Sequence, residues 1–342
     1  MVLLLLPIFL EFASRTIHAW NAPLLPYFFD AGPPLIPPGI HIKASFARKP
    51  ANEYATDLWS ARIDAPSLAH TRMRSGVFVL GDSQVLGYML DFRQTFASLL
   101  ANRMAGGPAN ARILAAPAVH PGHFEAMLKE YAPRGLEPQK LIIAGFNLGN
   151  DLDEMYSELF RWRKERSSIF SRWLLLHSFV FMDFRLLQNH WLQPGNEPVG
   201  VNPILYMLSP DERIILTREA VRKIDGALAD PRLSAERKVV VITPSDYQVD
   251  PAQFEKYRKY YREESDFERW DQQMPAFASM MSALEGYAAS QLTSRGYTVV
   301  RFSRFTAGHA SAELFDDSSH HLTAYGHRLL ADEIAHALES GR

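Results

Sequence analysis

Five short, mostly apolar runs punctuate the chain after residue 75: Gly76 to Leu80, Arg112 to Ala116, Lys140 to Ala144, Lys238 to Thr243 and Tyr297 to Phe302. Segments with helical spacing separate or follow them: Thr95 to Met104, Phe124 to Tyr131 and Tyr325 to Leu338. A strand that is apolar on both faces must be covered on both faces, and helices between such strands supply the crossovers of a parallel sheet. The pattern therefore predicts an α/β chain, a three-layer α/β/α sandwich around a central, mostly parallel sheet of roughly five strands.

At 342 residues, with 47% hydrophobic and 22% charged residues, the chain has the composition of an ordinary globular protein. One α/β domain over residues 75–342, with extensions, fits better than two full domains. Residues 1–20 hold the apolar run VLLLLPIFLEFA, short for a spanning helix and suited to a signal segment or membrane anchor. That predicts a cell-envelope location, periplasmic or membrane-anchored, with membrane association through this segment; a buried helix of a cytoplasmic protein is the alternative. Residues 21–74 begin with Pro23, Pro26, Pro33, Pro34, Pro37, Pro38 and Pro50, which bar a long helix or central strand. They read as a linker or extended arm lying on the main domain. Between the third and fourth runs, about 152–235 form a helical insertion rich in aromatic residues, read as extra core packing or as a lid over the strand ends. Residues 251–271 are strongly charged and read as a solvated amphipathic helix. A net charge of −2 gives no electrostatic case for nucleic acid, and the absence of cysteine excludes disulfides and thiol catalysis.

The first apolar run ends in Gly81-Asp82-Ser83, with Gly87 following. In open α/β sheets, ligands bind outside the carboxyl ends of the strands. A serine there becomes a nucleophile if a base activates it and an acid orients the base. The segment Phe315 to Gly326 contains both types: Asp317 as orienter, and His320 or His321 as base. Acyl chemistry also needs donors for a developing oxyanion. Past the third run, Asn150 offers a side-chain amide, and the Ser83 backbone N–H offers a second donor. His120 and His123 are three apart near the same cleft, but no third ligand has matching spacing, so no metal is expected.

These blocks resemble those of the SGNH/GDSL hydrolase family, over roughly residues 75–340. Gly81-Asp82-Ser83 with Gly87 is similar to its first block, Gly149-Asn150-Asp151 to its third, and Asp317 to Gly326 to its last. The resemblance implies a flavodoxin-like sheet, Ser83 as nucleophile and oxyanion donor, Asn150 as a second oxyanion donor, and an Asp–His pair in the last block. Two departures stand out. The second block's glycine, another backbone oxyanion donor, falls near His120. The last block carries one extra residue: Asp317 is three before His320, whereas His321 is five before Gly326. His321 is preferred because Leu322, Thr323 and Gly326 follow it as in the family pattern, with His320 the alternative. Asn147, in a Gly-x-Asn arrangement with Gly145, is a lesser alternative to Asn150. The implied function is a serine esterase or acylhydrolase, extending to carbohydrate O-deacetylation, acting on a small-molecule or carbohydrate ester with no cofactor. The alternatives are an O-acyltransferase acting on an exported polysaccharide and a non-catalytic glycan- or protein-binding module.

Overall fold

The computed structural model describes residues 39–44, 52–66, 76–87, 89–117, 119–131, 137–160, 205, 208–253, 264–316 and 320–340. The expected anchor, most of the insertion and Asp317 lie outside these residues.

Among the described residues, eight strands form one sheet in the order β1-β2-β3-β5-β4-β6-β7-β8. Its parallel part is β4 (Val77–Gly81), β5 (Ala111–Ala115), β6 (Gln139–Asn147), β7 (Ala235–Thr243) and β8 (Thr298–Arg301). These are the five expected runs, and their order across the sheet is the flavodoxin-like 2-1-3-4-5. All five residues of β4 and of β5 are buried, as are the last five of β7. Cover on both faces is what such strands require.

The chain leaves β4 toward β5 on one side and returns to β6 on the other. Right-handed crossovers then place successive helices on opposite faces. Helix α2 (Phe96–Met104) and the C-terminal α9 (Ala324–Ser340) pack together on one face. Helices α3 (Pro121–Tyr131), α5 (Pro210–Leu228) and α7 (Glu264–Thr293) cover the other. Short helices α1 (Ser83–Leu86), α6 (Asp246–Val249) and α8 (Ser311–Leu314) and the longer α4 (Leu148–Phe160) complete the set used below. The three-layer α/β/α architecture is as the sequence predicts.

The arm holds more regular structure than its prolines suggest. Strands β1 (His41–Ala44), β2 (Asn52–Thr56) and β3 (Arg62–Ile63) extend the sheet antiparallel beyond β5. The arm's prolines lie before residue 39, at Pro50 or at Pro66, so they leave these strands intact. A buried ion pair fastens the extension: Arg112 Nε on β5 lies 3.2 Å from Asp57 Oδ2. Asp57 also accepts from the Trp59 and Ala61 N–H groups at 2.9 and 3.0 Å. Those bonds satisfy lone pairs that burial would otherwise leave unpaired. The insertion is helical at both described ends, in α4 and α5. The charged run is helical from Glu264 onward.

No helix among the described residues is long and apolar enough to cross a membrane.

Candidate active site

Ser83 is the first residue of α1, one position beyond the N-cap Asp82. Asp82 Oδ1 accepts from the N–H groups of Gln84 at 3.0 Å and Val85 at 3.4 Å. Those bonds consume first-turn donors that a helix cannot satisfy internally. Ser83's own N–H and hydroxyl form no hydrogen bond among the described residues. The donor that an oxyanion would need is therefore uncommitted.

Two glycines set how deeply this turn sits. A Cβ on Gly81 would fall 2.2 Å from Val85 Cγ2, and one on Gly145 would fall 2.2 Å from Val85 Cγ1. Val85 is thus wedged between the ends of β4 and β6, and α1 rests directly on the sheet. Gly87 closes the turn at φ 57°, a conformation that favours glycine.

Arg62, on β3, holds the far end of the same turn. Its guanidinium is buried and donates to the carbonyls of Leu86 (2.8 Å), Gly87 (2.7 Å) and Leu90 (2.5 Å). It also stacks over the Tyr54 ring at 4.7 Å. A cation at the carbonyl end of a short helix is favourably placed. The arm is therefore part of the scaffold beneath Ser83.

The last block reaches the same edge through Gln84. Gln84 Nε2 donates to the His320 carbonyl at 2.8 Å, and Gln84 Oε1 accepts from Leu322 N at 3.1 Å. The residue after Ser83 thus grips the backbone on both sides of His321. Gly326 permits the return into α9, since a Cβ there would lie 2.6 Å from the Leu314 carbonyl oxygen.

His320, at φ 61°, places Nδ1 2.8 Å from Asp246 Oδ2. Asp246 is buried at the start of α6, just past β7, and its Oδ1 accepts from Tyr247 N at 2.8 Å. His327 is held neutral by burial, then by Arg62 and His321, its pKa depressed to about 3. His327 Nδ1 accepts from Phe96 N at 3.2 Å, a structural role. Among the described residues, Asp246 stands beside His320; the expected orienter, Asp317, lies outside them. The sequence reading did not single out Asp246, although Thr243-Pro-Ser-Asp246 directly follows a predicted strand, where ligand-facing residues cluster.

Asn147 and Asn150 divide their duties. Asn147 ends β6, and its Oδ1 accepts from Asn150 N at 3.3 Å and from the Ser245 hydroxyl at 3.1 Å. It is the N-cap of α4, and Asp151 Oδ2 reciprocates by accepting from Asn147 N at 3.0 Å. Asn150, partly exposed in the first turn, donates its Nδ2 to Glu154 Oε1 at 3.0 Å. Gly149 must be small: a Cβ there would meet the Tyr247 hydroxyl at 2.4 Å.

Three carboxyls gather behind this edge. Burial, opposed by its two helix N–H bonds, pushes Asp82 up to about 7. Asp151 and Glu154 are raised well above the usual carboxylate range, first by burial and then by Asp82.

His120, at the mouth beyond β5, is buried, and its N–H points to His123 Nδ1 at 3.4 Å. Its own Nδ1 accepts from Gly122 N at 3.1 Å. Their ring centroids lie 4.0 Å apart, with the planes tilted by 32°. No group of three or more metal-ligating side chains occurs among the described residues.

No protein-family model matches this chain, and no curated protein matches it. Solved structures with partial overlap include TesA, at 13% identity and a TM-score of 0.39 over 77% of this chain and 98% of that one. A catalytic mutant of Axe2, an acetylxylan esterase from Geobacillus stearothermophilus, overlaps at 8% identity and a TM-score of 0.40, over 78% and 94%. LAE5, an alpha/beta hydrolase enzyme from the metagenome of Lake Arreo, overlaps at 13% identity and a TM-score of 0.36, over 78% and 95%. The functional reading rests on the site's own geometry.

Proposed function

We propose that the protein is a serine hydrolase that cleaves ester bonds through an acyl-Ser83 intermediate. The observation that carries this reading is the Asp246–His320 pair, held against the nucleophile turn by Gln84. With Nδ1 against Asp246, the mechanism assigns His320 Nε2 the task of taking the Ser83 proton. Ser83 Oγ then attacks the ester carbonyl. Ser83 N–H and Asn150 Nδ2 stabilise the oxyanion, with a backbone N–H near His120 as a third donor. The C–O bond to the alcohol breaks, and His320 returns the proton to the leaving oxygen. Water, deprotonated by the same imidazole, attacks the acyl-enzyme and releases acid and free Ser83.

The base is His320 in this reading, and Asp246 orients it; His321 with Asp317 is the arrangement to be excluded. The substrate class is a small-molecule or carbohydrate ester, and no cofactor enters any step. The apolar run over residues 2–13 supports placing this chemistry at the cell envelope.

Hydrolysis of p-nitrophenyl acyl esters of increasing chain length, by wild type and Ser83→Ala, tests the proposal. Turnover that vanishes in Ser83→Ala supports it. Folded wild type that hydrolyses none of the series refutes hydrolysis; acyl label passed from a donor ester to a glycan would then identify acyl transfer, and glycan binding without turnover a binding module.

A further inference from the structure

Helix α4 carries a polar pair of which the proposed mechanism uses only one member, Asn150. Glu154 lies one turn after Asn150, and its Oε1 is the only acceptor that Asn150 Nδ2 engages among the described residues. The other carboxyl oxygen, Oε2, is enclosed and makes no hydrogen bond among the described residues. Asp82, the residue before the proposed nucleophile, and Asp151 are its neighbouring carboxyls. Among the described residues no Lys or Arg forms an ion pair with any of the three. A stable fold gains nothing obvious from a third buried carboxyl there, since burial penalises its charged form and its neighbours repel it. Its one observable partner is the amide that would serve as oxyanion donor.

An Asn amide has two N–H bonds, and its orientation is free unless something fixes it. With one N–H tied to Glu154, the amide plane is set and the second N–H has a defined direction. Asn150's backbone is fixed independently by Asn147 Oδ1, so only the side-chain torsions remain for Glu154 to control. We propose that Glu154 is a positioning residue that orients the Asn150 amide as an oxyanion donor. This rests on the reading of Asn150 as such a donor. Glu154 touches no reacting atom and acts only through Asn150.

A double-mutant cycle on hydrolysis of p-nitrophenyl acetate tests it, using the full chain. Asn150→Ala should lower kcat by about a hundredfold to a thousandfold, the usual loss for one oxyanion donor. Glu154→Ala should lower kcat about tenfold with KM nearly unchanged, since the amide remains but is no longer held. In the Asn150→Ala background, Glu154→Ala should change kcat by less than about twofold, because its only route of action is gone. Glu154→Gln retains Oε1 as an acceptor and should restore kcat to within about threefold of wild type. Thermal midpoints of both Glu154 variants should match or exceed wild type, which separates orientation from loss of fold. Equal effects of Glu154→Ala in both backgrounds, or an unchanged kcat when Asn150→Ala is crippled, would overturn the role of Glu154. An unchanged kcat in Asn150→Ala would instead remove Asn150 from the mechanism, and Glu154 with it.

Discussion

Asp246→Asn separates the two arrangements of base and orienter. Asp246 Oδ2 lies 2.8 Å from His320 Nδ1, and the carboxylate is buried. When His320 holds the Ser83 proton, the pair is an imidazolium beside a carboxylate. With charge centres about 4 Å apart and an effective dielectric near 20, their attraction is about 4 kcal/mol. Losing it corresponds to roughly a thousandfold in kcat. Asparagine can also donate to Nδ1 and so hold the wrong tautomer, which deepens the loss. The fold should survive, because Asn keeps the Oδ1 that accepts from Tyr247 N at 2.8 Å. The assay is steady-state hydrolysis of p-nitrophenyl acetate, with Asp317→Asn measured in parallel. The expected result is kcat down about a thousandfold in Asp246→Asn, and Asp317→Asn within about threefold of wild type. Asp246→Asn at wild-type rate with Asp317→Asn inactive would refute the reasoning and return the base to His321.

Gly145→Ala should reduce both activity and stability, because its Cβ would sit 2.2 Å from Val85 Cγ1 and push α1 off the sheet. Overpacking of this kind costs about 1–3 kcal/mol, and Val85→Ala in the same chain should recover part of the rate. Arg62→Met should lower the unfolding free energy by about 3 kcal/mol, measured by urea denaturation, because the Leu86, Gly87 and Leu90 carbonyls lose their donor. Arg62→Lys should fall between the two. Asp82→Asn should change how stability depends on pH. The folded Asp82 carboxyl is raised to about 7, so it keeps its proton where the unfolded chain has released it. Its contribution therefore falls as pH rises from about 4 to 7, and the stability of Asp82→Asn relative to wild type should rise over that window. The depressed pKa of His327 gives the opposite slope in both proteins and cancels, so their difference reports Asp82 together with its coupling to Asp151 and Glu154. Denaturant midpoints at several pH values read it, and a flat difference would contradict the burial argument.

The parallel core was legible because burial on both faces writes itself as continuous apolar runs, and all five strands fall where Val, Ile and Leu cluster. The placement of Ser83 and Asn150 was legible for a related reason: each follows such a run, at the end of a parallel strand. The antiparallel strands of the arm were not. β3 is two residues long and is held by the buried Arg62 side chain as much as by pairing, so neither period nor composition marks it. Asp246 was hidden by distance in sequence. It lies 74 residues from His320, and only the register of β7 beside β6 brings it to the cleft. Gln84 and Glu154 carry no motif, because their roles depend on which backbone or amide stands opposite.

The central claim is that Ser83 is a nucleophile activated within this cleft. A fluorophosphonate probe tests it directly, since attack by an activated serine forms an Oγ–P bond and expels fluoride. Intact-mass analysis with peptide mapping should show one adduct on Ser83 in wild type, much slower labelling in His320→Ala, and none in Ser83→Ala. Folded wild type that takes up no probe, or an adduct that persists in Ser83→Ala, would contradict the account.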